Sequence, residues 1–416
     1  MDLIIGAGIS GLSYASFCGH SDFLIVEKES EPGGYCRTIK KDGYVWDYSG
    51  HFFHFRNEEL KEFLLTNMDR MNILKVKKQS QIKIRDFYVD FPFQMNIHQL
   101  TKDELIDCLY DLFIDPISDE TTFKKMLYSR YGKSISDIFL IPYNQKLYAC
   151  DLDMLDPEAM GRFFPHANKE EIILNFKKRE IKNYNTEFLY PRGGAVEYIK
   201  SLLSHIKEQS IALGEKLIRI NSREKIAITS DREIKYDKII STIPLPELYK
   251  AVGIGFDPLI YTWNKVLVLN LGFDKKGKDQ KNNWIYFHER DYCFYRVGFY
   301  DNILKEDKMS LYVEISASIN EELVGEKYLP RVLHDLKKAG IVSGHKLVSY
   351  SFVIMDPAYV HINARSEKDK IEKIEQLNYQ DIFSIGRYGA WKYCSIEDNM
   401  SEARELAHAL NSANLR

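Results

Sequence analysis

A glycine motif directly after the first apolar run constrains the fold of this chain more than any other feature. The apolar run covers residues 2–5, and the segment Gly6–Gly11 follows it in the spacing GxGxxG. A second apolar run, residues 23–26, ends at Glu27. This order predicts a βαβ unit in which glycines admit a dinucleotide pyrophosphate to a helix N-terminus, while Glu27 binds ribose hydroxyls.

A second glycine segment indicates which dinucleotide binds. Residues 31–38, with paired glycines and an arginine, resemble the second FAD fingerprint of amine oxidase and glutathione reductase-like flavoproteins. Gly386–Arg387, followed by a helix near Ser395, resembles the closing FAD contact of the same superfamily. The sequence has no second GxGxxG unit, which disfavours a reductase with two Rossmann domains. The residues predicted to bind FAD are Gly6, Ala7, Gly8, Ile9, Ser10, Gly11, Glu27, Lys28, Gly33, Gly34, Arg37, Thr38, His51, Ile218, Gly386, Arg387, Tyr393, Ser395 and Ile396.

The pattern of apolar residues predicts an α/β fold with a discontinuous Rossmann-like domain. Helical signals occupy the region after residue 98, including a capping box at Thr101–Glu104 and a cap with proline at Asp156–Pro157. Aromatic and β-branched segments from 258 to 355 predict an antiparallel sheet. We expect three domains. Residues 1–75 with 185–257 and 375–416 form an FAD-binding domain, residues 95–183 form a helical substrate or lid domain, and residues 76–94 with 258–374 form an antiparallel sheet domain.

Composition excludes several classes of partner. The net charge is -3, from 57 basic and 60 acidic residues, so we expect no nucleic acid partner. Six cysteines are scattered without CxxC spacing, so we expect neither a metal site nor a disulfide framework. The apolar runs are too short for a transmembrane segment and no secretion signal is visible, which predicts a soluble cytoplasmic protein of unknown oligomeric state.

Further segments resemble the UDP-galactopyranose mutase family. Residues 48–54 are similar to the histidine loop of that family, with His51 near the isoalloxazine, and residues 90–96 resemble its proline-containing strand. Residues 143–148, followed fourteen residues later by Arg162, match the spacing of an aromatic residue, a lysine, a tryptophan and a diphosphate-binding arginine. The family's tryptophan is a tyrosine here, Tyr148.

The second half of the chain continues the resemblance. Residues 284–287 and 294–296 look like the strands that supply a tryptophan, a tyrosine and the second essential arginine. Residues 357–359 and 387–393 resemble two tyrosine segments that contact the diphosphate. A tyrosine that eukaryotic members carry seven residues after the second arginine is Ile303 in this chain.

The resemblance implies a flavin-dependent mutase that interconverts the pyranose and furanose forms of a UDP-hexose. It implies that reduced FAD attacks the anomeric carbon through N5 and displaces UDP, and that an external reductant such as NAD(P)H or a reduced flavin serves the enzyme. It implies catalytic roles for His51, Arg162 and Arg296. The residues that it implies for substrate binding are Phe93, Gln94, Tyr143, Lys146, Tyr148, Arg162, Trp284, Tyr286, Arg296, Tyr359 and Tyr393.

Two other functions fit parts of the sequence. An FAD-dependent oxidase or desaturase of the amine oxidase superfamily, similar to protoporphyrinogen oxidase, shares the FAD segments but does not require the two arginines. A catalytically inactive flavoprotein that serves as a binding module is the other alternative. Taken singly, the aromatic residues of 284–299 would fill a sheet core, Lys146 and Arg162 would lie on a solvated helix face, and His51 would be a satisfied core histidine.

Overall fold

The computed structural model describes residues 1–114, 119–177 and 186–413. The strands are β1 (Asp2–Ile5), β2 (Phe23–Glu27), β3 (Thr38–Lys41), β4 (Tyr44–Asp47), β5 (Ile73–Lys77), β6 (Ser80–Ile84), β7 (Phe87–Asp90), β8 (Glu187–Pro191), β9 (Ile211–Leu213), β10 (Leu217–Asn221), β11 (Ile226–Thr229), β12 (Glu233–Lys235), β13 (Lys238–Ser241), β14 (Asn264–Phe273), β15 (Trp284–Phe287), β16 (Arg296–Phe299), β17 (Ser310–Ser318), β18 (Leu347–Met355) and β19 (Ile382–Ser384). The helices are α1 (Ile9–Phe17), α2 (Glu58–Leu65), α3 (Lys102–Phe113), α4 (Phe123–Ile135), α5 (Ile141–Tyr148), α6 (Lys169–Asn175), α7 (Val196–Leu203), α8 (Leu245–Val252), α9 (Tyr300–Leu304), α10 (Gly325–Lys338), α11 (Ala364–Asn378), α12 (Gly386–Gly389) and α13 (Ile396–Ala413).

A parallel five-stranded sheet organises the dinucleotide-binding part of the chain. Its strand order is β19-β13-β1-β2-β9, so strands from three distant parts of the sequence lie side by side. The central strands are apolar and buried, as the continuous apolar runs of the sequence predict, because both faces are covered. Helices α1, α7 and α13 cover one face, and the three-stranded sheet β10-β11-β12 with α8 and α11 covers the other. The fold is therefore a mixed α/β fold with a discontinuous Rossmann-like sheet.

A second, seven-stranded sheet lies beyond the carboxyl edge of the first. Its order is β18-β14-β17-β16-β15-β6-β7. All neighbouring strands are antiparallel except β6 and β15, which run parallel with Ser80 opposite Trp284. The sheet thus joins strands from the ranges 76–94 and 258–374, which the sequence analysis groups together, but the antiparallel pattern did not indicate the parallel direction of the β6–β15 pair.

Helices α3 to α6 precede the return of the chain to the first sheet. The capping box predicted at Thr101 and Glu104 is present at the start of α3. The helix start predicted at Asp156–Pro157 is wrong, because this segment forms turns that lead to a short 3₁₀ helix, Gly161–Phe163. Gly161 adopts a φ of 48°, which ends the turns before an α-helix can form.

The ranges predicted for the three domains can be placed on this architecture. The predicted boundaries after residues 75 and 374 fall inside β5 and α11, and residues 178–185 lie outside the described ranges. Among the described residues, no helix combines the length and apolar character needed to cross a membrane.

Candidate active site

The two glycine segments of the sequence meet at the carboxyl edge of the parallel sheet. Gly33 donates its N–H to the carbonyl of Ala7 at 2.8 Å. A Cβ on Gly11 would lie 2.0 Å from the carbonyl oxygen of Gly6, so the turn from β1 into α1 requires glycine. Gly8 caps α1 without a side-chain hydrogen bond, which leaves the first N–H groups of the helix available to an anionic ligand.

A cavity of about 740 Å³ runs along this edge from Glu27 to Arg296 and Tyr359. The Glu27 carboxylate accepts hydrogen bonds from the N–H groups of Ala7 at 2.7 Å and Glu29 at 3.0 Å. The predicted cofactor residues that line the cavity are Gly6, Gly8, Ile9, Ser10, Glu27, Lys28, Gly33, Gly34, Arg37, His51, Arg387, Tyr393, Ser395 and Ile396.

Five predicted cofactor residues lie outside the cavity lining, namely Ala7, Gly11, Thr38, Ile218 and Gly386. Ile218 is 54% exposed, and its neighbour Leu217 lines the cavity instead, at a point where the register of β10 against β11 shifts. The hydroxyl of Thr38 donates to the Asp47 carboxylate at 2.6 Å. A Cβ on Gly386 would lie 2.3 Å from the hydroxyl of Ser10, so this glycine supports the lining from behind.

The residues present fit a flavin dinucleotide. At one end of the cavity Glu27 offers a carboxylate for ribose hydroxyls. The centre offers glycine backbone and helix N–H groups for a pyrophosphate, and at the far end the rings of Tyr359 and Tyr393 can pack beside the flat ring system of a flavin. The length of the cavity and its continuation into an aromatic chamber suit FAD, whose ring system would reach that chamber.

A second cavity of about 240 Å³ opens from the far end of the first. Both cavities are lined by Gly50, Arg296, Tyr359, Tyr393 and Ser395. Of the residues predicted to bind substrate, those that line the second cavity are Gln94, Tyr143, Trp284, Tyr286, Arg296, Tyr359 and Tyr393. The junction between the cavities is therefore where a bound cofactor and a substrate could meet.

Arg296 is fixed at this junction by a buried carboxylate. It begins β16 directly opposite Glu314 of β17, and its guanidinium donates to the two carboxylate oxygens at 2.6 and 2.7 Å. Ser49, from the loop that carries His51, donates to the same carboxylate at 2.5 Å. Burial acts to lower the pKa of Arg296, but Glu314 outweighs it and raises the pKa well above its usual range. Arg296 is thus a permanently charged, rigidly held donor.

Arg162 does not line either cavity. Its guanidinium contacts the Asp398 carboxylate in the first turn of α13 and lies 4.8 Å from the ring centroid of Phe163. Phe163 itself lines the second cavity and packs against Tyr393 with ring centroids 5.0 Å apart. Arg162 therefore lies at the rim, one residue away from the lining, and the structure brings only Arg296 of the predicted arginine pair into the chamber.

Three further residues predicted to contact substrate lie behind the chamber wall. The ammonium of Lys146 donates to the backbone carbonyls of Phe287, Glu289 and Phe294, at 3.3, 2.8 and 2.6 Å. It thus closes the loop between β15 and β16. Tyr148 and Phe93 are 1% and 0% exposed, and neither lines the cavity.

Comparisons with known proteins agree with this geometry. Residues 4–65 match the NAD(P)-binding Rossmann-like domain family. A structure of reduced UDP-galactopyranose mutase superposes with a TM-score of 0.90 at 22% identity, covering 99% of this chain and 94% of that one. The chain has the fold of UDP-galactopyranose mutase.

Oxidases share this mutase fold less closely. A protein from Exiguobacterium sp. 255-15 assigned as a protoporphyrinogen oxidase superposes with a TM-score of 0.79 at 17% identity, covering 98% of each chain. Coproporphyrinogen III oxidase of Staphylococcus aureus is 25% identical over 278 residues, which are 60% of this chain and 59% of that protein. The match thus spans less than two thirds of the Staphylococcus enzyme.

His51 in the mutase fold is a neutral group at the junction. Burial, assisted by the charge of Arg387, lowers its pKa to about 4. Its Nδ1 atom is buried and meets no hydrogen-bond partner in the part of the chain that the structure describes. His51 can therefore form a hydrogen bond with the ring system of a bound cofactor, and it carries no charge near neutral pH.

Several residues that line the chamber were missed by the sequence analysis. Phe91 lines the second cavity, whereas the sequence analysis predicted Phe93, two residues later in the same segment. Lys78 lies over the rings of Phe91 and Trp284, with its ammonium 5.1 and 5.5 Å from their centroids. Asn144, inside the predicted segment 143–148, also lines the chamber. The segment around Phe91 was a signal for that residue, whereas no motif pointed to Lys78.

Proposed function

We propose that this chain is an FAD-dependent mutase that interconverts the pyranose and furanose forms of a UDP-sugar, of the UDP-galactopyranose to UDP-galactofuranose type. The observation that carries the proposal is the position of Arg296, where a dinucleotide-sized cavity opens into an aromatic chamber. The mutase fold over the whole chain supports the same assignment.

FAD would be held by the lining residues of the first cavity, with its pyrophosphate at the N-terminus of α1 and its ribose at Glu27. When bound in its reduced form, the flavin supplies the nucleophile for the sugar's anomeric carbon. His51 would contact the ring system as a neutral hydrogen-bonding group, because its pKa of about 4 lies far below neutral pH.

The diphosphate of the substrate would bind at the junction. Arg296 offers a fixed guanidinium, and the tyrosines of the junction add hydroxyl donors at little conformational cost. When the bond between the sugar and the diphosphate breaks, negative charge develops on the diphosphate, and a buried cation at that position stabilises it. Tyr286, whose pKa burial raises to about 12, stays protonated and can donate.

The nucleobase would occupy the aromatic end of the chamber. Tyr143 and Phe91 offer ring faces there, and Gln94 offers an amide whose Oε1 is buried without a partner among the described residues. An unpaired amide oxygen in a buried chamber favours a ligand with an N–H donor, which uracil has.

Our proposal places the enzyme in the cytoplasm, in the supply of galactofuranose or a related furanose for polysaccharide synthesis. A reductant such as NAD(P)H or a reduced flavin would keep FAD reduced from outside, since the sequence has no second GxGxxG unit.

The direct test is product formation. The FAD-loaded protein, reduced with dithionite without oxygen, is incubated with UDP-galactopyranose and related UDP-pyranoses, and furanose products are sought by chromatography and NMR. We expect a furanose product with the reduced protein and none with its oxidised form. Failure to convert any UDP-pyranose would contradict the proposal.

The second candidate is an FAD-dependent oxidase of the protoporphyrinogen oxidase type. The similarity to coproporphyrinogen III oxidase over 278 residues favours it. It differs from the mutase in needing an electron acceptor for every turnover. Oxidation of a porphyrinogen by the purified protein, with consumption of oxygen, would support this alternative.

A further inference from the structure

A lysine, Lys78, lines the second cavity beside the aromatic residues. Lys78 lies in the short connection between β5 and β6 and is half-buried. The backbone is fixed on both sides of its side chain, since Lys78 N donates to the carbonyl of Thr186 and Gln79 N donates to Asn283 Oδ1, both at 2.8 Å. Its side chain is therefore positioned by the fold and is not attached to a free loop.

No carboxylate of the described residues forms an ion pair with Lys78. Among the described residues that line the chamber there is no Asp or Glu. Arg296 is neutralised by Glu314, and Arg162 contacts Asp398 outside the lining. Lys78 is thus the one cation lining this chamber that has no carboxylate partner among the described residues.

Lys146 shows what a structural lysine looks like in the same region. Burial lowers the pKa of both lysines to about 8, with Arg296 contributing at Lys78. Lys146 compensates with three backbone carbonyls, whereas the ammonium of Lys78 contacts, among the described residues, the ring faces of Phe91 and Trp284. Ring faces replace part of the lost hydration but leave the N–H donors of Lys78 unused.

We propose that Lys78 binds an anionic group of the substrate between Phe91 and Trp284. The inference rests on the proposed function and deepens it by naming a further substrate-binding residue. The anionic group is an oxygen of the diphosphate or a carboxylate on the sugar, and both present the acceptors that an ammonium needs.

The charge state of Lys78 makes this binding depend on pH. The ammonium is charged below its pKa of about 8 and loses its proton as the pH rises through that value, so anion binding weakens on the alkaline side. The other ionisable groups that face the chamber are His54, Tyr143, Tyr286, Arg296, Tyr359 and Tyr393, with Glu314 behind Arg296. Burial lowers the pKa of His54 to about 4 and raises those of Tyr143, Tyr286 and Tyr359.

Calorimetry on the oxidised, FAD-loaded protein tests the proposal. Dissociation constants are measured for uridine, UDP, UDP-glucose and UDP-glucuronate, with the wild type and the variants Lys78→Met and Lys78→Arg. Lys77→Met is the matched control, because Lys77 is the exposed neighbour and its replacement changes the net charge equally. FAD absorbance confirms that each variant is folded.

We expect Lys78→Met to weaken the binding of UDP-glucuronate, which carries both anionic groups, about tenfold or more and to leave uridine binding unchanged, whereas Lys77→Met should bind every ligand as the wild type does. A loss confined to UDP-glucuronate identifies a sugar carboxylate, and a loss shared by UDP and UDP-glucose identifies the diphosphate. Wild-type affinity should fall between about pH 7 and about pH 9.5, and Lys78→Arg should retain it, since arginine stays charged.

Wild-type affinity of Lys78→Met for every ligand would overturn the role of Lys78 while leaving the proposed function intact. If the wild type bound none of the UDP ligands, the proposed function itself would fail and this inference with it.

Discussion

Arg296 and Glu314 form a buried ion pair whose value depends on both partners being present. Each group alone in this environment would be an uncompensated charge, and removing one partner of such a pair costs far more than removing both. The pair therefore has two roles that can be separated: it holds the sheet at the junction together, and it supplies a cation to the substrate.

The variant Arg296→Met should lose activity and stability together. We expect destabilisation by about 3–5 kcal/mol, because Glu314 is left buried without its partner. The double variant Arg296→Met with Glu314→Gln should recover most of the stability in denaturant unfolding but none of the turnover. Recovery of turnover in the double variant would contradict a direct role of Arg296 in binding the diphosphate.

The contact between Arg162 and Asp398 competes with any role of Arg162 in binding substrate. In Asp398→Asn the ion pair is lost, but the amide oxygen can still cap Ser395 as the carboxylate does. A partly exposed pair of this kind is worth at most about 1 kcal/mol, so UDP affinity should rise up to about fivefold. Calorimetry measures the UDP affinity of Asp398→Asn, with Arg162→Ala as the control. The gain in UDP affinity should vanish in the double variant Arg162→Ala with Asp398→Asn.

The sequence identified the segments of the site better than the individual side chains. Phe93 and Ile218 were predicted where Phe91 and Leu217 line the cavities. Phe93 begins a short 3₁₀ helix after the segment that contains Phe91, and the register of β10 against β11 shifts between Leu217 and Arg219. Such local irregularities change which side chain faces a cavity and leave no sign in the spacing of a motif. The function of Lys146 also depends on three backbone carbonyls of the segment 287–294, whose positions sequence spacing cannot indicate.

At the scale of elements, the turn between β1 and α1 is the part that local sequence determines most completely. Its glycines are required by contacts within a few residues, such as the 2.0 Å approach of a Gly11 Cβ to the Gly6 carbonyl. Local contacts of this kind are visible in the spacing of the motif, which is why the βαβ unit could be predicted.

Replacement of Gly11 by alanine should therefore abolish FAD binding. The added Cβ forces α1 away from β1 and closes the pyrophosphate position, so we expect purified Gly11→Ala to lack flavin absorbance. Gly255→Ala is the control, because a Cβ at Gly255 meets no atom within 4 Å. Normal flavin content in Gly11→Ala would show that the dinucleotide binds elsewhere.

The sequence grouped the segments of β6 and β15 in one sheet, but it did not indicate that these two strands pair in parallel. Ser80 lies opposite Trp284, and this parallel pairing carries Lys78 into the chamber. Because the direction and register of pairing between segments two hundred residues apart leave no local pattern, the sequence could not place Lys78 beside Trp284 within that sheet.

At the scale of the whole molecule, half-buried neutral histidines link stability to pH. Burial lowers the pKa of His51, His54 and His288 to about 4 each. The unfolded chain binds protons at these positions below about pH 6.5, whereas the folded chain does not, so stability falls as the pH drops from 6.5 towards 4.

We expect the melting temperature of the FAD-loaded protein to fall between about pH 7 and about pH 5, with a smaller fall in His288→Asn. His288 is chosen because it lies outside the lining of both cavities, so its replacement leaves the ligand sites intact. Differential scanning calorimetry at several pH values checks the slope. An unchanged slope in the variant would exclude His288 as a source of the acid sensitivity.

The discontinuous architecture follows from the sequence in outline, since the FAD-binding domain was predicted to combine residues 1–75 with 185–257 and 375–416, and strands from all three ranges lie in the first sheet. The junction between the two cavities did not follow from it. It is formed by residues from the histidine loop, β16 and the two tyrosine segments, which meet only in the folded chain.

The most direct test of a mutase built on this junction is the redox balance of turnover. The FAD-loaded protein is reduced, oxygen and other acceptors are excluded, and flavin absorbance is followed while UDP-galactopyranose is added in large excess. The account predicts many furanose products per flavin, with the flavin still reduced at the end. Oxidation of the substrate, or turnover only when an electron acceptor is supplied, would contradict it.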